Sequence, residues 1–177
     1  MRSIGRGLLG LIIFLLMSLG DGVGVGYSAQ VLPSAPEFEL VTSAGDAVSN
    51  ATLRGRPTLL IFWAPWCNVC RKELPEIANF YRQDRPEQLR VLSIGFADLR
   101  SNVEAFVKAR PEVFVFPTAY DEDRWVAQAF KVRATPTYVV LDVQGRIAVT
   151  HLGTGLLQND QFRTFLSGLN LSGLNRS

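Results

Sequence analysis

The fold is decided by one stretch of the sequence, Ile61-Phe62-Trp63-Ala64-Pro65-Trp66-Cys67-Asn68-Val69-Cys70. It contains both cysteines of the 177-residue chain, separated by two residues. A structural zinc site takes four ligands, and the single histidine of the chain, His151, lies far away in the sequence. We therefore predict no metal site and no other cofactor. A Cys-x-x-Cys pair behind a strand favours a dithiol that interconverts with a disulfide.

The two cysteines are predicted to lie where a strand turns into a helix. The residues from Thr58 to Trp63 are almost wholly apolar and follow Gly55-Arg56-Pro57, which indicates a buried strand. After Cys70, apolar residues recur at helical spacing, at Leu74, Ile77, Ala78 and Tyr81. Cys67 is then expected at the N-terminus of this helix, where free amides and the helix dipole stabilise a thiolate. We predict Cys67 as the exposed nucleophile and Cys70 as the buried resolving thiol.

Residues 62–75 resemble the active-site segment of thioredoxin-fold proteins, and most of all that of the TlpA/ResA-type extracytoplasmic thiol-disulfide oxidoreductases. Two further features carry the resemblance. Ala134-Thr135-Pro136-Thr137-Tyr138 is similar to the cis-proline segment of this family, and Pro75 matches its kinked active-site helix. The likeness extends over residues 36–166, which is most of the chain.

The sequence departs from cytosolic thioredoxins at Ile61, where those proteins carry a buried aspartate six residues before the first cysteine. In ResA-like proteins a glutamate three residues after the second cysteine is implicated instead, and that position is Glu73 here. Two interpretations of Glu73 stay open. It is either a proton acceptor for Cys70 or a solvated charge on the helix surface beside Arg71 and Lys72.

The predicted site has two groups of residues. The catalytic group, in which Cys67 and Cys70 form the redox-active disulfide, is Cys67, Cys70 and Glu73. The substrate-binding group is Trp66, Thr135 and Pro136, with a cis peptide leaving the backbone of Thr135 free to pair with a partner strand. His151 is interpreted as an ordinary residue at the end of a strand, without a role in the site.

The predicted fold class is α/β, a thioredoxin fold with a mixed central sheet, helices on both faces, an N-terminal β-hairpin and a central strand-helix insertion. Residues 38–41 and 47–49 are expected to form the hairpin. The other predicted strands are 90–96, an edge strand at 113–116, 137–142 and 147–151. Three other helices are predicted. One begins at a capping box on Ser101, and the other two cover 123–130 and 158–169.

The N-terminus differs in composition from the rest of the chain. Arg2 and Arg6 lead into an apolar run at 7–19, which is shorter than the roughly 20 residues of a membrane span and is typical of an export signal. Residues 21–36 are rich in Gly, Ser, Ala and Pro. We predict a signal peptide or N-terminal membrane anchor at 1–26, a linker at 27–36 and a thioredoxin-like domain at 37–170. The predicted location is extracytoplasmic, in the periplasm or on the outer face of the cytoplasmic membrane.

The formal charge of +2, from 18 basic and 16 acidic residues, disfavours nucleic acid as a partner. The resemblance implies a disulfide reductase that acts on exported cysteine-containing proteins, for example apocytochrome c during cytochrome c maturation, with a membrane thiol carrier as electron donor. The alternative is a copper-binding metallochaperone in which the same cysteines hold Cu(I). Against it, both methionines lie in the N-terminal segment, at Met1 and Met17. A peroxidase is less favoured, because the chain has no cysteine outside this pair.

Overall fold

The structure is a computed structural model that describes residues 32–174, and the side chains up to residue 169. The predicted signal or anchor at 1–26 and the first residues of the predicted linker lie outside the described residues. Within 32–174, every helix is too short or too polar to cross a membrane.

Residues 32–174 form strands and helices that alternate along most of the chain. The strands are β1 (Glu39–Val41), β2 (Ala47–Ser49), β3 (Thr58–Trp63), β4 (Arg90–Phe96), β5 (Thr118–Asp121), β6 (Thr137–Leu141) and β7 (Ile147–Leu152). The α-helices are α1 (Asn50–Leu53), α2 (Asn68–Gln83), α3 (Arg100–Lys108), α4 (Trp125–Ala129) and α5 (Asp160–Leu174), and a short 3-10 helix covers Leu156–Gln158. The α/β class and the N-terminal hairpin, in which β1 and β2 pair antiparallel, are confirmed.

The central sheet has the strand order β5-β4-β3-β6-β7 in the described part of the chain. β3 pairs parallel with β4 and antiparallel with β6, so the sheet is mixed, as predicted. β3 is buried at every residue, which explains why its sequence is a continuous apolar run. As the middle strand, β3 carries the segment with both cysteines out of the centre of the sheet.

Alternate residues of β3 belong to two separate cores, because successive side chains of a strand point to opposite faces. On one face, Leu59, Ile61 and Trp63 pack with side chains of α2, α3 and α5, namely Leu74, Ile77, Val103 and Phe162. On the other face, Leu60 and Phe62 pack with the hairpin, α1 and α4 through Phe38, Leu40, Leu53, Val126 and Ala127. Helices therefore cover both faces, as predicted.

The predicted edge strand at 113–116 is wrong. The edge strand on this side of the sheet is β5, which begins two residues after the end of the predicted strand and pairs parallel with β4. The amides of Val113 and Phe114 bond to the carbonyl of Arg110 in a turn instead. The aromatic residues of this segment make ring contacts, the partly buried Phe114 with Trp63 and the buried Phe116 with Tyr81. The apolar character of this segment reflects packing against aromatic side chains of β3 and α2 and not strand pairing.

The predicted capping box on Ser101 is also wrong. α3 begins at Arg100 with Leu99 as its N-cap and has no side-chain cap. A capping box does occur at α1, a helix that the sequence analysis did not predict, where Ser49 and Thr52 each accept from the other's backbone amide. The helix predicted at 123–130 is shorter, Trp125–Ala129, and its first amides bond to the buried carboxylate of Asp121.

Candidate active site

Cys67 is the N-cap residue of α2, the position that the strand-to-helix pattern predicts. The backbone amide of Cys70 donates a hydrogen bond of 3.0 Å to Cys67 Sγ. The N-terminal amides of a helix lack partners within the helix, so a sulfur at this position receives both a hydrogen bond and the positive end of the helix dipole. Both interactions favour a thiolate at Cys67 over a thiol.

Cys67 and Cys70 form a disulfide, with their Cα atoms 5.2 Å apart. Cys67 is less exposed than the sequence analysis expected, with 5% of its surface accessible against 1% for Cys70. The order of accessibility still agrees with the prediction. A partner disulfide that approaches from solvent therefore meets Cys67 before Cys70.

Arg71 fixes the loop in front of Cys67, and sequence analysis assigned it no such role. Its guanidinium donates two hydrogen bonds to the carbonyl of Pro65, at 3.0 and 2.8 Å. The guanidinium also lies over the ring of Phe106, 5.5 Å from the ring centroid. The feature of the sequence that indicates this role is the position of Arg71, four residues after Cys67 and therefore one helical turn after the N-cap.

The peptide bond between Thr135 and Pro136 is cis, as the resemblance implies. The carbonyl oxygen of Thr135 lies 3.5 Å from Cys67 Sγ, although the two residues are 68 positions apart. Pro136 is buried, and its carbonyl accepts a hydrogen bond of 2.9 Å from the amide of Gly153. The cis-proline segment therefore forms a wall beside the nucleophile.

Trp66 lies at the surface next to Cys67, with 57% of its surface exposed. Its Nε1 donates a hydrogen bond of 2.9 Å to the carbonyl of Ala97, in the loop after β4. Ala97 has a φ of 59°, a left-handed conformation that is uncommon outside glycine. The indole is thus held in place while most of its surface remains open to solvent.

Glu73 is buried, with 8% of its surface exposed, so it is not a solvated charge on the helix surface. It lies on α2, three residues after Cys70, as predicted. Its Oε2 accepts a hydrogen bond of 2.9 Å from the amide of Gly155, which lies 82 positions later in the sequence. A buried carboxylate about one helical turn after the resolving thiol is a suitable group to accept a proton.

Ile61 pairs directly with Tyr138 across β3 and β6. Tyr138 is fully buried, and its hydroxyl has no hydrogen-bond partner within residues 32–174. Burial raises the pKa of Tyr138 far above its usual range, and the negative charges of Glu73 and Glu76 raise it further. At this point of the sheet an apolar residue, Ile61, therefore pairs with a neutral tyrosine, and neither supplies a carboxylate.

Among residues 32–174, no group of three or more His, Cys, Asp and Glu side chains is arranged to hold a metal ion. Of the predicted site residues, Cys67 contacts Cys70 through the disulfide and Thr135 through the 3.5 Å approach to its carbonyl, and Pro136 follows Thr135 directly. Glu73 follows Cys70 on α2, and the hydrogen bond to its carboxylate comes from Gly155, which was not a predicted site residue. Trp66 borders them at the surface.

The comparisons with known proteins agree with this geometry. A family model described as the AhpC/TSA family matches residues 31–150. The thiol-disulfide oxidoreductase ResA of Bacillus subtilis is 29% identical over 120 residues, which cover 68% of this chain and 66% of ResA. The thioredoxin-like protein YneN of the same organism is 31% identical over 122 residues, 68% of this chain and 70% of YneN.

The fold of this chain also resembles that of a solved thiol-disulfide oxidoreductase relative. The crystal structure of StoA from Bacillus subtilis superposes with a TM-score of 0.62 at 26% identity and covers 73% of this chain and 97% of StoA. The chain thus belongs to the AhpC/TSA family and is a thioredoxin-fold thiol-disulfide oxidoreductase of the ResA and StoA type, with Cys67 and Cys70 as its redox-active pair.

Proposed function

We propose that this protein is a disulfide reductase of exported proteins, with Cys67 as the nucleophile and Cys70 as the resolving thiol. The observation that carries the exchange chemistry is the N-cap position of Cys67, whose Sγ accepts the amide of Cys70 at 3.0 Å and lies 3.5 Å from the Thr135 carbonyl. The proposed reducing direction rests on the absence of a histidine between the two cysteines. The amide of Cys70 stabilises the Cys67 sulfur as a thiolate. On its other side this sulfur borders the backbone of Thr135, with which a partner strand can pair.

The reaction has two exchange steps. The Cys67 thiolate attacks one sulfur of a partner disulfide, the partner's S–S bond breaks, and one partner thiolate leaves. Cys70 then loses its proton and attacks Cys67 Sγ, so that the intermolecular disulfide breaks, the Cys67–Cys70 bond forms and the second partner thiolate leaves. Two electrons pass from this protein to the partner, and an external dithiol must return them.

Glu73 is the proposed acceptor of the Cys70 proton in the second step. Cys70 is 1% exposed, and burial in apolar surroundings opposes ionisation of a thiol. Glu73 follows Cys70 by about one helical turn and is itself buried, which excludes much of the competing water. Its hydrogen bond from Gly155 holds the carboxylate in place.

Trp66, Thr135 and Pro136 are the proposed docking residues for the partner. Thr135 presents its backbone beside Cys67, where an extended partner segment adds main-chain hydrogen bonds. Trp66 offers a rigid, exposed aromatic surface, the kind of residue that dominates binding energy at interfaces. Both features favour a polypeptide substrate over a small disulfide.

We also propose that the chain is exported, with 1–26 as signal peptide or anchor, 27–36 as linker and 37–170 as the redox domain. The support is the sequence pattern of a basic start followed by an apolar run at 7–19. An exported dithiol needs electrons from across the membrane, so a membrane thiol carrier is the proposed donor. Apocytochrome c, in the course of cytochrome c maturation, is one proposed recipient.

The test is the reduction potential of the Cys67–Cys70 pair, measured together with Cu(I) affinity. Asn68 and Val69 between the cysteines include no histidine that would stabilise the thiolate further, so we expect a potential at or below roughly −200 mV. A potential near about −120 mV would make the protein a disulfide donor and overturn the proposal. Tight Cu(I) binding without disulfide exchange would favour the metallochaperone instead.

A further inference from the structure

One peptide group connects His151 with Glu73. The peptide between Thr154 and Gly155 has its carbonyl 2.7 Å from His151 Nε2, and its N–H donates to Glu73 Oε2 at 2.9 Å. The two hydrogen bonds use opposite ends of the same planar unit, so the orientation fixed at one end sets the orientation at the other. Hydrogen bonds in such a chain also polarise one another.

The loop around this peptide is anchored on both sides: the amide of Gly153 donates to the carbonyl of Pro136 at 2.9 Å, and the amide of Gln158 donates to the carbonyl of Gly155 at 3.1 Å. Gly153 and Gly155 both have left-handed φ values, 87° and 80°, which glycine adopts without strain. A Cβ on Gly153 would meet open space, and a Cβ on Gly155 would lie within 4 Å of only one atom, Gln158 Oε1. Between these anchors, the hydrogen bonds at the two ends of the Thr154–Gly155 peptide bear directly on its orientation.

Asn159 determines which nitrogen of His151 carries the proton. The Oδ1 of Asn159 accepts the amide of Phe162 at 2.9 Å in the first turn of α5, which turns its Nδ2 towards His151 Nδ1 at 3.4 Å. An amide NH2 only donates, so Nδ1 is the acceptor and the neutral ring carries its hydrogen on Nε2. This is the tautomer that donates to the carbonyl of Thr154.

We propose that His151 is a positioning residue for Glu73, acting through the Thr154–Gly155 peptide, and that Asn159 supports it by selecting the Nε2–H tautomer. The inference rests on the proposed function of Glu73 as proton acceptor for Cys70. It replaces the sequence interpretation of His151 as a strand-end residue without a role. His151 directs the Gly155 N–H at Glu73 and so keeps the carboxylate beside the resolving thiol.

The test measures the resolution step alone. Reduced protein is mixed with excess 5,5′-dithiobis(2-nitrobenzoate), and two releases of thionitrobenzoate are followed: a second-order phase as Cys67 reacts, and a first-order phase as Cys70 displaces the label. We expect His151→Leu to slow the first-order phase about threefold to tenfold, the factor that corresponds to the loss of one hydrogen bond. His151→Gln should retain most of the wild-type rate of the first-order phase, because the glutamine amide offers both a donor and an acceptor.

The matched control is Thr150→Val, the exposed neighbour of His151 on β7, which should leave the first-order phase unchanged. Denaturant unfolding of each variant shows that it is folded at the assay temperature. The decisive comparison repeats His151→Leu in the Glu73→Gln background. If His151 acts through Glu73, the loss seen in the wild-type background should largely disappear there, since the coupled residues form one unit.

The two proposals fail in different ways. If Glu73→Gln reacts at the wild-type rate, the role of Glu73 is overturned, and the positioning role of His151 falls with it. If Glu73→Gln is slow but His151→Leu is not, only the positioning role is overturned. An equal loss on His151→Leu in both backgrounds, or no recovery with His151→Gln, would likewise show that His151 does not act through Glu73.

Discussion

The amide of Cys70 donates a hydrogen bond of 3.0 Å to the Sγ of Cys67, which is the N-cap of α2. The backbone amide of Cys70 thus stabilises a negative charge on the sulfur of Cys67. Cys70 itself lies inside the helix and is almost fully buried, so it has neither the free amides nor the access that Cys67 has. The two thiols differ in reactivity because of where α2 begins.

The first prediction concerns this difference. In the reduced protein, iodoacetamide at about pH 5 to 6 should label Cys67 well before Cys70, because the thiolate is the reactive form. Cys70→Ser should accumulate mixed disulfides through Cys67, and Cys67→Ser should not. Peptide mapping by mass spectrometry identifies the labelled residue. Faster labelling of Cys70 would reverse the proposed roles.

The second prediction concerns docking. Trp66→Ala should slow reduction of a disulfide-bonded protein such as insulin about fivefold or more, since truncating an exposed aromatic anchor removes interface energy. Its reaction with a small aromatic disulfide should change little. Trp125→Ala is the control, because Trp125 is a tryptophan of similar exposure, 46% against 57%, but lies on α4. Equal effects of the two substitutions on protein reduction would remove Trp66 from the docking surface.

The third prediction concerns the unpaired hydroxyl of Tyr138. A buried polar group without a partner costs about 1 to 3 kcal/mol, so Tyr138→Phe should increase the free energy of unfolding by about 1 kcal/mol at neutral pH. Urea unfolding measures the change. A loss of stability would indicate that the hydroxyl has a partner, such as a buried water.

The same substitution carries a pH dependence. Burial, together with the charges of Glu73 and Glu76, raises the pKa of Tyr138 in the folded state. Above about pH 10 the unfolded chain releases this proton and the folded protein keeps it, so the free energy of unfolding falls as pH rises, by up to about 1.4 kcal/mol per pH unit. Tyr138→Phe should show a correspondingly smaller fall. Parallel pH profiles for the two proteins between about pH 9 and pH 11 would contradict the expectation.

The fourth prediction concerns the contact between β4 and α3. A Cβ on Gly95 would lie 2.5 Å from Val103 Cγ1, and valine has little rotamer freedom in a helix. Gly95→Ala should therefore destabilise the protein by about 1 to 3 kcal/mol. In a Val103→Ala background the added methyl has room, and Gly95→Ala should be neutral or stabilising. Thermal unfolding of the four proteins gives the coupling, and additive losses would exclude a clash with Val103.

Local sequence was sufficient for the strand-to-helix turn that carries Cys67 and Cys70. β3 and β4 match their predicted ranges, because a strand buried on both faces is a continuous apolar run in the sequence. The N-cap position of Cys67 follows from the same periodicity, since it lies between the end of the run and the start of the helical spacing. The hairpins were predictable because their turn residues lie between the paired strands.

Only the tertiary structure decided which distant residues meet the cysteine pair. The Thr135 carbonyl reaches Cys67 across 68 positions, and Gly155 reaches Glu73 across 82, because β6 and β7 extend the sheet beside β3. The role proposed for His151 depends on the second of these contacts. Periodicity describes how a residue relates to its neighbours along the chain, whereas sheet order and loop hydrogen bonds are set by packing between elements far apart in sequence.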